Sequence, residues 1–171
     1  MLRTYHKRIA ALSVMAALSM GSLGLWSASA AASIATSSFQ VTATVLKACT
    51  VVASPLAFGN YSGTVVTANT TIGVTCTNTT PYNVGLDAGI SSGATVTTRA
   101  MTLAGGTATL LYGLYQDSAL SKNWGNTVGT DTQIGTGNGR LQTLTVYGQI
   151  PANQFPTPGA YADTITATVT Y

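Results

Sequence analysis

Apolar and polar residues alternate in several short stretches of this chain, and Gly, Pro and Asn separate the stretches. Phe39, Val41, Ala43 and Val45 fall on one face of a run whose other face carries Gln40, Thr42 and Thr44. A period of two is that of a strand with one apolar face. The same alternation predicts a strand over Thr70–Thr77, with Ile72, Val74 and Cys76 aligned. Further strands are predicted around Tyr82, Val84 and Leu86, around Leu110, Tyr112 and Leu114, and around Leu144, Val146, Gly148 and Ile150. The last runs from Ala162 to Tyr171, with Ile165, Ala167, Val169 and Tyr171 on one face and threonines on the other. Weaker signals place a continuation at Cys49–Val52 and an edge hairpin around Arg99, Met101 and Leu103. The Gly-, Thr- and Asn-rich stretch from Ser118 to Arg140 reads as a long loop with a short strand at most, Trp124 capping the end of the sandwich there. Short strands at regular spacing with turn residues between them predict an all-β sandwich or barrel. The length after residue 30 is that of one domain, with no internal repeat and no linker.

The beginning of the chain follows a different pattern. Arg3, Lys7 and Arg8 precede an apolar run from Ile9 to about Leu25, and small residues crowd at Ala28–Ala32. That order is a secretory signal peptide, expected over residues 1–30, with cleavage after Ala30 or Ala32. The domain then occupies 31–171, with no transmembrane segment expected once the signal is gone. The signal also holds three of the seven Lys and Arg residues. What remains is Lys47, Arg99, Lys122 and Arg140 against Asp87, Asp117, Asp131 and Asp163, a near-neutral chain. Such a balance removes the electrostatic basis for binding nucleic acid or anionic membrane. A surface with so few charges is also poorly protected against self-association.

Cys49 and Cys76 are the two cysteines. A pair in an exported chain is most simply one disulfide. A metal site would need more good ligands, and the single His, His6, lies in the signal. No cofactor is expected. General acid–base chemistry lacks His and has only four Asp, each beside turn residues where local backbone bonding is the usual role. The closely spaced glycines of Gly135–Gly139 do not form a phosphate loop, having neither its Lys nor a following helix. Tyr112, Tyr115, Tyr147 and Tyr161 suit either core packing or a sugar-stacking surface.

A succession of motifs carries a family likeness: Phe39-x-Val-x-Ala-x-Val, Cys49-Thr-Val, Phe58-Gly-x-Tyr, Ile72-x-Val-x-Cys76, Tyr82-Asn-Val-Gly-Leu-Asp-Ala-Gly, Leu111-Tyr-Gly-Leu-Tyr-Gln-Asp, Trp124-Gly, Thr145-Val-Tyr-Gly-Gln-Ile-Pro and Gly159-x-Tyr-x-Asp-Thr-Ile-x-x-Thr-Val-x-Tyr. In this order they resemble the spore coat protein U domain family, known in Gram-negative bacteria mainly as subunits of Csu-type archaic chaperone–usher pili. The resemblance implies an incomplete immunoglobulin-like β-sandwich, completed by a strand from a periplasmic pilus chaperone and then, at the outer-membrane usher, from a neighbouring copy or related subunit. It also implies an exported, surface-assembled structural protein that supports adhesion and biofilm formation, and no enzyme. On this reading the segment of about 31–46, with Phe39, Val41, Ala43 and Val45, is the donor strand or else strand A of the chain's own fold. Ile165, Ala167, Val169 and Tyr171 mark the acceptor groove, since the sequence stops at its last strand and leaves that edge to be covered. The competing readings are a free-standing secreted binding module with a complete set of strands, a coat protein of the same fold, and a hydrolase whose Asp residues converge in a cleft.

Overall fold

A computed structural model describes residues 32–171; the expected signal over 1–30 lies outside the described residues. The folded unit is Ala43–Tyr171. Its strands are β1 (Cys49–Ala53), β2 (Val66–Cys76), β3 (Pro81–Leu86), β4 (Arg99–Leu103), β5 (Thr109–Tyr115), β6 (Gln133–Thr136), β7 (Leu141–Ile150), β8 (Tyr161–Ala162) and β9 (Ala167–Thr170). They form two sheets, ordered β1-β2-β7-β5-β4-β8 and β6-β3-β9. Every registered pair is antiparallel. Among the described residues no helix is long and apolar enough to cross a membrane.

The alternation read from the sequence sets which face of each strand is buried. Ile72, Val74 and Cys76 of β2 meet Tyr82, Val84 and Leu86 of β3, with Leu110, Tyr112 and Leu114 of β5 and Val146 and Ile150 of β7 completing the core. Each such aliphatic side chain stabilises the fold by about 1.5–3 kcal/mol. The center of the long predicted loop differs from expectation. Trp124 is not a cap at the end of the sandwich but a fully buried core residue, and its indole N–H donates to the Val84 carbonyl at 2.8 Å. The loop also contributes β6, the one short strand expected there.

Three other expectations need correction. The run Phe39–Val45 is not a strand, and its residues are exposed. A strand holds its shape only through ladder bonds and a face to bury, and the run has no ladder partner among the described residues. The predicted edge hairpin at Arg99 is an interior strand instead, since β4 lies between β5 and β8. Arg99 itself is fully buried. Its guanidinium donates to the carbonyls of Leu86 (3.0 Å), Asp87 (2.8 Å), Val96 (2.6 Å) and Trp124 (2.6 Å). A forked cation with five N–H donors can satisfy several carbonyls at once, and that is what makes its burial tolerable here. Finally, the predicted last strand divides. Tyr161–Ala162 pairs with β4 in the large sheet, while Ala167–Thr170 pairs with β3 in the small one. The alternation continues across the gap, with Tyr161, Asp163, Ile165, Ala167 and Val169 half-buried and the residues between them exposed. A period of two reports the face of a strand and not the sheet it joins.

The crossover between the sheets is tied down by Asp87. Its Oδ1 accepts the backbone N–H groups of Thr166 (2.9 Å) and Gly89 (3.1 Å). Burial alone would raise this carboxyl, but those bonds and the nearby Arg99 charge outweigh it and hold it below the usual carboxylate range.

Two outcomes follow. Cys49 and Cys76 face each other in the β1–β2 ladder and are joined by a disulfide across 27 residues of sequence. Cys49→Ser or Cys76→Ser should lower stability in denaturant by about 3–4 kcal/mol and reduce the yield of folded protein; unchanged unfolding midpoints would rule out a structural role. For Asp87, a depressed folded-state value means its contribution is complete above the ordinary carboxylate pKa of about 4 and is lost as pH falls through the folded value. Asp87→Asn should therefore be less stable at neutral pH and lose less stability on acidification than the native chain, as thermal melts from pH 7 down to pH 2 would register.

Candidate functional site

A cleft begins where β1 stops. Pro55 has no N–H to continue the ladder, and the last backbone–backbone bond between these segments runs from the Ser54 N–H to the Thr71 carbonyl at 3.0 Å. Beyond it the chain leaves the sheet, and Leu56 and Phe58 turn inward. Gly148 on β7 makes room for them: a Cβ there would lie 2.7 Å from Leu56 Cδ2 and 2.8 Å from Phe58 Cζ. Phe58 then meets the ring of Tyr112 edge-on, with centroids 6.0 Å apart.

This segment is one wall of a cleft of about 450 Å3. The opposite wall is the stretch from Tyr161 to Ile165 together with Ala167. Ile72, Leu86, Tyr112, Leu114 and Val146 form an apolar floor. A second hollow adjoins the cleft and shares Leu56, Phe58, Met101 and Tyr161 with it; Phe155 on its rim is 87% exposed. The cleft lies on the side of the sandwich where β1 and β9, outermost strands of different sheets, approach each other. β1 pairs only with β2 and β9 only with β3, so each presents an edge without a ladder partner among the described residues. Unpaired strand edges beside a cleft whose walls carry the half-buried Leu56, Phe58, Met101 and Ile165 above a buried floor form a template for another strand.

Of the residues expected at the acceptor groove, Ile165 and Ala167 line the cleft. Val169 is half-buried against the core further along β9, and Tyr171 is 55% exposed. Of those expected in the donor segment, Phe39, Val41 and Val45 are 82–87% exposed, and Ala43 is exposed as well. Ile34 and Leu46 nearby are also exposed. Four apolar residues at alternate positions thus stand in solvent with no sheet of their own.

The chemistry of the cleft is that of packing. Asp163 is the one carboxylate on its lining. Its Oδ1 accepts the N–H groups of Thr164 (2.8 Å) and Ile90 (2.9 Å), and its Oδ2 accepts the Tyr112 hydroxyl at 2.7 Å. Burial, together with that bond to a carboxylate, pushes the Tyr112 phenol far above its ordinary range, so it stays protonated and donating. A hydrolase built on paired Asp needs a second carboxylate facing the same cavity, and the lining supplies none. Asp117 and Asp131 do serve local turns, at Ser121–Lys122 and Thr127. Asp87 and Asp163, by contrast, also reach backbone far away in sequence. The polar contacts of Arg99, Asp87 and Asp163 escaped the sequence reading; the only signal was a lone Arg in a weakly alternating strand. Tyr112 is a core residue and not part of a sugar-stacking surface, while Tyr115, Tyr147 and Tyr161 are half-buried.

Comparison with known proteins agrees with this architecture. The family model described as Spore Coat Protein U domain matches residues 35–168. Protein U of Myxococcus xanthus is 34% identical over 160 residues, covering 83% of this chain and 88% of its own length. Among solved structures, the CsuC–CsuE chaperone–tip adhesion subunit pre-assembly complex from archaic chaperone–usher Csu pili of Acinetobacter baumannii aligns at 24% identity with a TM-score of 0.58. The alignment covers 75% of this chain and 41% of that one, so this chain spans less than half of its length. At that identity the likeness establishes the fold, an all-β immunoglobulin-like sandwich of the Csu subunit kind. With the family model covering most of its length and Protein U matching nearly end to end, the chain belongs to the Spore Coat Protein U domain family.

Proposed function

We propose that this protein is a structural subunit of a surface pilus built by the chaperone–usher route. In this reading the cleft between β1 and β9 accepts a strand, and the segment of about 31–46 is the strand a subunit donates to the next. The observation that carries the reading is the coexistence of an open apolar cleft bordered by two unpaired strand edges and an exposed segment with four alternating apolar residues. Inserted as a strand, that segment presents Phe39, Val41, Ala43 and Val45 to the floor at intervals of about 7 Å, while Gln40, Thr42 and Thr44 face water. Main-chain bonds to the edges supply affinity, and the side-chain pockets supply register. Repeated head-to-tail, such a contact gives an open filament and not a closed ring.

The wider setting belongs to the same proposal. A signal over 1–30 exports the chain to the periplasm, where a pilus chaperone fills the cleft, as a chaperone accompanies the subunit in the related Csu complex. An outer-membrane usher then exchanges the chaperone for the neighbouring subunit. The finished fibre stands at the cell surface and serves adhesion and biofilm formation. The near-neutral domain suits close packing of like subunits, since little charge repulsion opposes it.

The expected outcome is a 1:1 complex of exported chain and chaperone, plus a ladder of subunit multiples on an SDS gel that collapses on heating. Val41→Asp places a charge in the apolar cleft and should abolish the ladder while the Cys49–Cys76 disulfide still forms. A lone monomer that is stable without any chaperone would overturn the proposal in favour of a free-standing binding module. A ladder that ignores Val41→Asp would move the donor elsewhere in the chain.

A further inference from the structure

Between β8 and β9 the crossover Asp163–Thr166 belongs to neither sheet ladder, yet Asp163, Thr164 and Ile165 form a wall of the cleft. Ladder bonds therefore do not fix that wall. Polar contacts hold it at both ends. At the first, the Asp163 carboxylate accepts the Tyr112 hydroxyl at 2.7 Å and the Ile90 N–H at 2.9 Å. The approach is close enough that a Cβ at Gly89 would collide with the carboxylate, and Gly89 has a φ of +83° that favours glycine in its own right. At the other end, Thr166 donates its N–H to the Asp87 carboxylate at 2.9 Å and accepts the Asp87 N–H at 3.2 Å. Asp87 is immobilised in turn by Arg99, which is fully buried and donates to its carbonyl and to those of Leu86 and Trp124.

We propose that Asp163 and Tyr112, backed by Asp87 and Arg99, are positioning residues of the acceptor cleft, setting the crossover wall before any strand arrives. The proposal rests on the strand-exchange reading and adds to it the residues that make the cleft competent. Without these contacts the crossover is free to sample many conformations, and an incoming segment has to order it while binding. With them, the subunit orders the wall as it folds, and the segment meets a preset surface. Once a strand is in place it bonds to the edges and packs against the wall, so the polar contacts become largely redundant. Their loss should therefore slow entry of a strand far more than it weakens the filled state.

The test uses the full mature chain and an excess of a fluorescently labelled peptide of residues 33–47, with uptake followed by anisotropy and the filled product followed by melting. In Tyr112→Phe and Asp163→Asn, uptake should slow about ten-fold or more, the filled product should melt within a few degrees of the native one, and the disulfide should still form. Asp117→Asn, in a loop away from the cleft, should leave uptake at the native rate. Native uptake rates in Tyr112→Phe and Asp163→Asn would overturn the proposal, as would a large fall in melting temperature with uptake unchanged, which is the signature of a purely structural corner. Where Asp163→Asn yields no folded chain, Tyr112→Phe decides, because it removes one hydroxyl and keeps the ring against Phe58. Failure of the native chain itself to take up peptide would refute strand exchange as a whole and is distinct from either result.

Discussion

A strand edge beside an apolar floor must be covered, because water satisfies its N–H and C=O groups only by wetting the hydrocarbon next to them. Most of this sandwich meets that demand internally, with β2, β7, β5, β4 and β3 each flanked on both sides. The edges of β1 and β9 that border the cleft are the exception of consequence, since Ile72, Leu86, Leu114 and Val146 lie below them. The exposed Phe39–Val45 run has the complementary defect: side chains suited to a core and no sheet to join. In the proposed strand exchange, one contact would relieve both: a strand from one molecule laid in the cleft of another.

The rest of the architecture keeps that cleft open without letting the fold collapse into it. Pro55 ends the β1 ladder and turns Leu56 and Phe58 into one wall, in space that Gly148 leaves free. The disulfide fixes the far end of β1 to β2, so the edge strand stays in register although only one neighbour pairs with it. On the other side the chain must pass from the large sheet to the small one. A crossover without ladder bonds has to satisfy its backbone groups some other way, and Asp87 and Asp163 do so. Arg99 supports them from inside the core, where its four bonds to carbonyls gather the end of β3, the β4 approach and the Trp124 segment around one cation. These polar groups are structural in kind, yet they sit where they shape the surface that another strand would touch.

Much of this was legible in the sequence, and for a physical reason: side-chain alternation is a local property. Ile72, Val74 and Cys76, Tyr82, Val84 and Leu86, and Leu110, Tyr112 and Leu114 each announced a buried face, and each supplies the core. The pairing of Cys49 with Cys76, as the simplest use of two cysteines, also required only composition and order. The alternation at Phe39–Val45 was equally plain, but alternation states that a segment suits a sheet and does not say whose sheet.

Partnership was decided only by the tertiary structure. That Ala162–Tyr171 is divided between two sheets, that β4 is interior, and that Trp124 belongs to the core all depend on residues dozens of positions apart meeting in space. The contacts of Arg99, Asp87 and Asp163 have the same origin, for a carboxylate near a turn looks the same in sequence whether it bonds its neighbour or a strand across the sandwich. The sequence by itself determined which residues are apolar and where strands and turns alternate. Which edges remain unpaired among the described residues was settled by the three-dimensional arrangement, because an unpaired edge is a relation between strands and no single segment carries it.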